Sequence, residues 1–421
     1  MSLRPACWLL LATLVPIQTA RAAPDATDPA YARFLERQAM LAGLDGVSKA
    51  SPVLADVIFS SRFETGADNC TLDSDSDTLP DCAETATGRF VSATDTGTDP
   101  RNRDTDADGL SDGIEVMGTL DGLDLPALGV SPLRRDLLIE YDWFEDGNDC
   151  GTHSHAPTAE SLARVAAVYA GAPIVNPDGS TGIHVVQDAG QGGALVGGNR
   201  IVGEANLPGT FDAAHAQLKS ANFDRRRLGV FHYVVLAHRY NGNATSSGYA
   251  EIIGDDALVT LQCYNNPDVQ ARTVVHELGH NLGLHHGGYE ACNGKPNYNS
   301  LMNYRYQFTG LDASCQANGD GRTDGYSVGD RLSIDEAAVD EAKGVCGNPP
   351  IDWNSNGSVE TGIAHDLNPS FAAECGASIR TIQDFDDWAN ITLLGLRDAN
   401  GQLKSIKQET GCAGAPAPGQ R

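Results

Sequence analysis

The stretch His276-Glu-Leu-Gly-His280-Asn-Leu-Gly283-Leu-His285-His286 decides how this chain is read. Two histidines four residues apart share one face of a helix, with Cβ atoms about 5–6 Å from each other. At that separation two imidazole nitrogens can reach one Zn²⁺, each at roughly 2.0–2.1 Å. Glu277 projects from the same turn, where a carboxylate can take a proton from a water that the metal polarises. Gly283 can adopt positive φ, ending the helix and turning the chain back so that His286 supplies a third ligand. Three protein ligands leave one position open, as catalytic zinc sites do and structural ones do not.

Further on, Asn299-Ser-Leu-Met302-Asn-Tyr304 supplies a turn containing a methionine. Together the two stretches resemble the metzincin metallopeptidases. The HExxHxxGxxH pattern is complete, and Met302 and Tyr304 stand where that clan has its Met-turn and, in some families, a tyrosine near the metal. The likeness is specific from His276 to Tyr304 and looser from Arg134 to Tyr306. It implies an α+β zincin domain over residues 133–310, one catalytic Zn²⁺ and a protein or peptide substrate. It also implies Glu277 as general base, Tyr304 as a donor to the oxyanion and Met302 as an apolar floor. The family spacing, with the turn at Gly283, makes His286 rather than His285 the third ligand. Gly287 follows, where astacins, serralysins, matrixins and adamalysins usually have Glu, Pro, Ser and Asp. The Gly-Leu-His-His run looks more like pappalysin-type or other bacterial zincins, which leaves the family within the clan open.

The segments before this motif read as the upper half of such a domain. Asp136 to Phe144 is a strand, Pro157 to Tyr169 has helical spacing with Glu160 near its start, and Gly182 to Gln187 and Val230 to Ala237 are short apolar strands. Gly248 to Ala250 and Leu258 to Leu261 follow. In metzincins the strand just before the active-site helix lies at the sheet edge and pairs with extended substrate, so the groove is expected there. His153 and His155 form an HxH pair that could bind a second metal, although an exposed polar loop is the plainer reading. His184 and His232 lie in apolar strands and read as structural.

Residues 67–118 carry two acidic loops of one design. The first runs from Asp73 through Asp75, Asp77 and Asp81 to Glu84; the second runs from Asp104 through Asp106, Asp108 and Asp112 to Glu115. Both place oxygen ligands at positions 1, 3, 5, 9 and 12 of a twelve-residue loop, the set that hard Ca²⁺ prefers, and only the second has glycine, Gly109, at position 6. With Thr98-Asp-Pro100 ahead of it, the second loop resembles a thrombospondin type 3 or EF-hand-like calcium repeat. The expectation is two or more structural Ca²⁺ ions in a stiffened spacer with almost no apolar core. Asp352, Asn354, Asn356 and Gly357 repeat the first positions of the pattern, but Ile363 stands where the bidentate glutamate belongs, so calcium there stays open.

The net charge is −27, from 56 acidic and 29 basic residues. Such a chain is a poor candidate for nucleic acid or an anionic membrane surface, because phosphate contacts need a basic patch. Residues 1–22 read as a secretory signal, with Arg4, an apolar run from Ala6 to Ile17 and Ala20-Arg-Ala22 at the cleavage site. That run is too short to span a membrane, and export to the extracellular space or the periplasm follows. Residues 23–66, with the helical stretch Ala30 to Leu44, are either a pro-segment or an N-terminal helical region. After export nine cysteines remain, most of them expected in pairs. Cys70–Cys82, Cys292–Cys315 and Cys346–Cys375 are candidate local bridges, and sequence alone does not fix the connectivity; if Cys150 and Cys263 also pair, one thiol is left over. That thiol is either free in the tail, as Cys412, or a zinc ligand in a latent form. Residues 311–411 form a disulfide-containing C-terminal subdomain, and the tail from Gly411 on reads as flexible. Oligomeric state is not readable. Two other functions fit parts of the pattern: a calcium-dependent adhesion protein with an inert zincin domain, and a zinc hydrolase of non-peptide bonds.

Overall fold

The computed structural model describes residues 70–393, apart from 148, 243 and 244, and the backbone of residues 408–413. The expected signal and the 23–66 region lie outside the described residues. The described chain is α+β, built on one mixed sheet.

The strands in chain order are β1 (Asp136–Asp146), β2 (His153–Ser154), β3 (His184–Asp188), β4 (Arg200–Ile201), β5 (Asn206–Leu207), β6 (Phe231–Ala237), β7 (Arg239–Tyr240), β8 (Ser246–Ile252) and β9 (Asp256–Thr260). Short strands β10 (Ile334–Asp335), β11 (Val339–Asp340), β12 (Thr361–Ile363) and β13 (Thr381–Ile382) precede β14 (Gln408–Ala413). The helices are α1 (Asp112–Met117), α2 (Ala159–Ala170), α3 (Phe211–Asn222), α4 (Pro267–Asn281) and α5 (Ala372–Cys375).

β1 is the hub of the sheet. It pairs in parallel with β3, β4 and β6, and antiparallel with β2. β6 pairs in parallel with β9, β9 antiparallel with β8, and β8 antiparallel with β14. Alternation along β1 splits its side chains between two cores. Leu137, Ile139 and Tyr141 enter one core with α2 and α4; Leu138 and Phe144 enter the other with α3. A strand buried on both faces is what an apolar run such as Leu137-Leu-Ile139 specifies.

Each functional helix has a defined start. Thr158 caps α2, its hydroxyl accepting from Ser161 N at 3.0 Å while Ser161 Oγ accepts from Thr158 N at 2.9 Å, a reciprocal cap worth about 1 kcal/mol. Asn266 caps α4 by accepting from Asp268 N at 2.8 Å, and Pro267 occupies the first turn, where no amide donor is needed. α4 then runs against α2 and beneath β8 and β9.

Four features depart from the sequence reading. β9, the strand just before α4, is internal; β8 lies beside it and is internal too, and β14 forms the edge. Gly411 to Ala413 therefore belong to a strand rather than to a flexible tail. The cysteines pair as Cys70–Cys82, Cys150–Cys263, Cys292–Cys375 and Cys315–Cys346. The local guesses Cys292–Cys315 and Cys346–Cys375 fail because the C-terminal region folds back on the Met302 turn, bringing Cys375 to Cys292. Tyr326, Phe385 and Trp388 join the core around α4 in the same way, while a smaller core gathers Val339, Val345, Leu367 and Ile382. Finally, the acidic segment has apolar anchors: Leu79 is fully buried, and Leu110 packs with Leu125 and Val130 into the α3-side core.

Candidate metal centre

α4 is buried along nearly its whole length, including its polar residues. A buried polar side chain is costly unless it is satisfied, so the partners of each separate structure from chemistry. Arg272 donates to Asp324 at 2.6 Å and to Phe308 O at 2.8 Å. Thr273 donates to Val269 O at 2.8 Å, and Asn281 holds Glu251 O and Asp256 O at 3.1 and 3.0 Å. These are structural. Of the other buried polar residues, His276 and His280 group with His286 from the turn after Gly283, and Glu277 lies against β8.

Gly283 has φ +99°, the left-handed turn expected of it, and the chain returns with His286 beside the helix. His276, His280 and His286 each offer one ligand nitrogen within 4.8 Å of the others. Their ring centroids lie 4.9, 5.3 and 4.9 Å apart. His276 Nδ1 donates to Leu301 O and His280 Nδ1 to Leu284 O, both at 2.7 Å. A carbonyl only accepts, so each Nδ1 carries the proton and each Nε2 keeps its lone pair. Burial holds His276 down to about 4, and burial with the neighbouring rings holds His280 and His286 well below the usual histidine range. Neutral imidazoles, two of them with tautomers fixed by a carbonyl, fit a zinc ion. His285 is outside this group.

The turn expected as a floor lies under these rings. Met302 is fully buried, and its sulfur would sit 2.2 Å from a Cβ on Gly279, so only glycine fits on that face of α4. The Tyr304 ring packs against His286 and His276, with centroids at 4.4 and 5.8 Å. Glu277 is fully buried. A Cβ on Gly248 would lie 2.2 Å from Glu277 Oε1, so the backbone of β8 passes directly over the carboxylate. Neither Gly279 nor Gly248 is identified by sequence pattern, because the need for a missing side chain shows only in the packed fold.

Gly287, the departure from the usual metzincin residue, has a local cause. A Cβ there would meet Cys292 O at 2.3 Å, and Lys295 pins the same turn, donating to Gly287 O at 2.9 Å and Glu290 at 3.0 Å. Lys295 is itself fully buried, a residue whose role the sequence does not reveal.

The two acidic loops repeat each other contact for contact. Asp73 accepts from Ser76 N and Thr78 N, and Asp104 accepts from Ala107 N and Gly109 N. Asp81 accepts from Ser74 N and Oγ, and Asp112 from Thr105 N and Oγ. The ninth-position carboxylates thus brace the start of their own loops. Asp112 also reaches the preceding loop, grouping with Asp77 and Glu84, and Asp73, Asp75 and Asp77 group separately. Asp136 at the start of β1 repels Asp106 and Glu115 electrostatically and is the residue sequence reading missed. Asp75, Glu84, Asp106 and Glu115 each keep a buried oxygen with no protein donor. Burial, helped by neighbouring carboxylate charge and opposed by hydrogen bonds, raises Asp77 to about 7, Glu84 and Asp106 to about 8 and Asp112 to about 9. Oxygen-only sites of this kind fit a hard divalent cation.

His153 and His155 do not lie in an exposed loop. His153 opens β2 and His155 follows it, and both meet Asp146 and His238, which sequence spacing does not connect. His232 is buried against Asn281 at 3.2 Å, and His184 contacts Asp136 and Arg134, both structural as expected.

No protein-family model matches this chain, and no curated protein matches it. Among the described residues no helix is long and apolar enough to cross a membrane.

Proposed function

We propose that this chain is a secreted zinc-dependent endopeptidase of the metzincin type, stabilised by calcium in its acidic loops. The observation that carries the reading is the convergence of three neutral imidazoles beside a buried glutamate, directly under the backbone of β8. A zinc ion on His276, His280 and His286 would supply Lewis acidity, lowering the pKa of a bound water toward about 7 and polarising a carbonyl.

The protein's own groups do the rest. Glu277 takes the proton of the attacking water and passes it to the leaving amine. Tyr304 donates its phenol hydrogen bond to the oxygen that becomes negative as the carbonyl is attacked. Met302 and Gly279 keep the ligand helix seated. An extended peptide would add along β8 by main-chain hydrogen bonds, placing its backbone over Glu277. β14 takes that edge here, with Cys412 in register with Gly248, so the tail strand and a substrate compete for one site. The four cysteine pairs suit an oxidising compartment.

Casein hydrolysis tests the reading. A chelator should abolish activity, and Zn²⁺ added back with Ca²⁺ should restore it. A fully metallated protein that leaves casein intact would favour adhesion or hydrolysis of a non-peptide bond.

A further inference from the structure

We propose that Asp146, His153, His155 and His238 form a second zinc site, closed by four protein ligands and structural in role. The four side chains come from the end of β1, from β2 and from the turn after β6, and one ligand atom of each lies within 4.8 Å of the others. The side chains of Asp146, His155 and His238 are 6%, 6% and 0% exposed, and His153 is 17% exposed. The ring centroids stand 4.6, 5.3 and 5.6 Å apart.

The hydrogen bonds around the cluster fix which nitrogens face inward. His153 Nδ1 lies 2.8 Å from Gly151 O, and His238 Nε2 lies 2.8 Å from Asp149 Oδ1, which Arg239 also holds. Both partners only accept, so those nitrogens carry protons. Outer carbonyl and carboxylate partners of this kind orient metal-bound histidines. The inner nitrogens, His153 Nε2 and His238 Nδ1, then present lone pairs 3.3 Å from each other. His238 Nδ1 is also 3.3 Å from Asp146 Oδ2, and His153 Nε2 is 3.3 Å from Gln262 O.

Acceptors facing acceptors need a positive charge between them, either an added proton or a metal. The spacing favours the metal. An N–H bond would draw the heavy atoms to about 2.9–3.0 Å, whereas the edge of a tetrahedron with bonds of roughly 2.0–2.1 Å is about 3.3–3.4 Å. His155 Nε2, 2.7 Å from Asp146 Oδ2, is the one distance that must open on coordination. Imidazole with one carboxylate suits zinc among the common divalent ions. The nearby grouping of Asp149, His238, Cys150 and Cys263 is not a rival site, because the two sulfurs are bonded to each other.

Such a site would brace the active-site helix. Gln270 on α4 donates to His155 O at 3.2 Å, and its carbonyl oxygen accepts from Ser161 Oγ at 2.7 Å at the start of α2. Metal on His155 would therefore hold β2, α2 and α4 in register.

The test is elemental zinc per chain in the full-length protein after dialysis against metal-free buffer. Wild type should retain two equivalents, His276→Ala with His280→Ala should retain one, and His153→Ala should lose one and unfold at lower temperature. Zinc K-edge absorption of the His276→Ala, His280→Ala variant should report imidazole neighbours, which separates this site from the acidic loops. That variant also decides the matter if His153→Ala fails to fold. No zinc in it, zinc with oxygen neighbours only, or undiminished zinc in folded His153→Ala would overturn the proposal.

Discussion

The two histidine clusters use the same side chains and differ in how the chain assembles them. His276, His280 and His286 sit on one helix and its following turn, so local geometry alone brings them together. Asp146, His153, His155 and His238 are joined only because β1 and β6 are parallel neighbours, with Trp143 opposite Leu236. The strand ends beyond that pair then deliver Asp146 and His238 to one place. The first cluster offers three candidate ligands with a glutamate beside them; the second offers four, with a disulfide nearby. On the proposed reading one is arranged for reaction and the other for holding the fold, and perturbing each should move different observables.

Tyr304→Phe should have the largest graded effect on the first cluster. Losing one oxyanion donor costs about 10²–10³ in kcat, some 2.7–4 kcal/mol, with kcat/KM falling equally and KM little changed. If Tyr304 only packs on His276 and His286, phenylalanine keeps the shape and activity drops less than about threefold. Steady-state kinetics at equal zinc occupancy decides between them.

Ending the chain after residue 407 should release the β8 edge. About 1.4 kcal/mol of competition removed would raise kcat/KM about tenfold, and the same truncation should leave zinc content unchanged. Unaltered kinetics on peptide substrates would mean that β14 does not contest the edge.

The acidic loops should give the smallest effect, seen in stability rather than catalysis. Burial raises Asp77, Glu84, Asp106 and Asp112 above the ordinary carboxylate range. A raised folded pKa means that the metal-free fold is penalised at high pH. The penalty is full above about pH 9, shrinks as pH falls through 9 to 7, and vanishes near pH 4, where the unfolded chain protonates too. In chelator, limited proteolysis of residues 95–120 should slow on going from pH 9 to 6; with Ca²⁺ it should be slow at pH 7–9. Asp104→Ala with Asp108→Ala should abolish the Ca²⁺ protection, and identical digests with and without Ca²⁺ in wild type would remove calcium from the account.

The contrast between the clusters also marks what the sequence could disclose. Strands β1 and β6, helices α2 and α4, the turn at Gly283 and the acidic loops all follow from patterns with periods of a few residues. β14, the Cys292–Cys375 pairing, Gly248 against Glu277 and Asp136 beside Glu115 depend on segments that meet only after folding. Gly248 illustrates the limit best. Nothing near it in sequence distinguishes it from any strand glycine, yet Glu277 Oε1 occupies the space a side chain would need.

The central claim, that Glu277 is the base beside a zinc held by His276, His280 and His286, is tested most directly by Glu277→Ala. Zinc content and casein turnover should be measured on the same purified sample. The account predicts wild-type zinc and turnover below a few per cent of wild type, roughly 2 kcal/mol or more in the barrier. Wild-type zinc with turnover near the wild-type rate would contradict it.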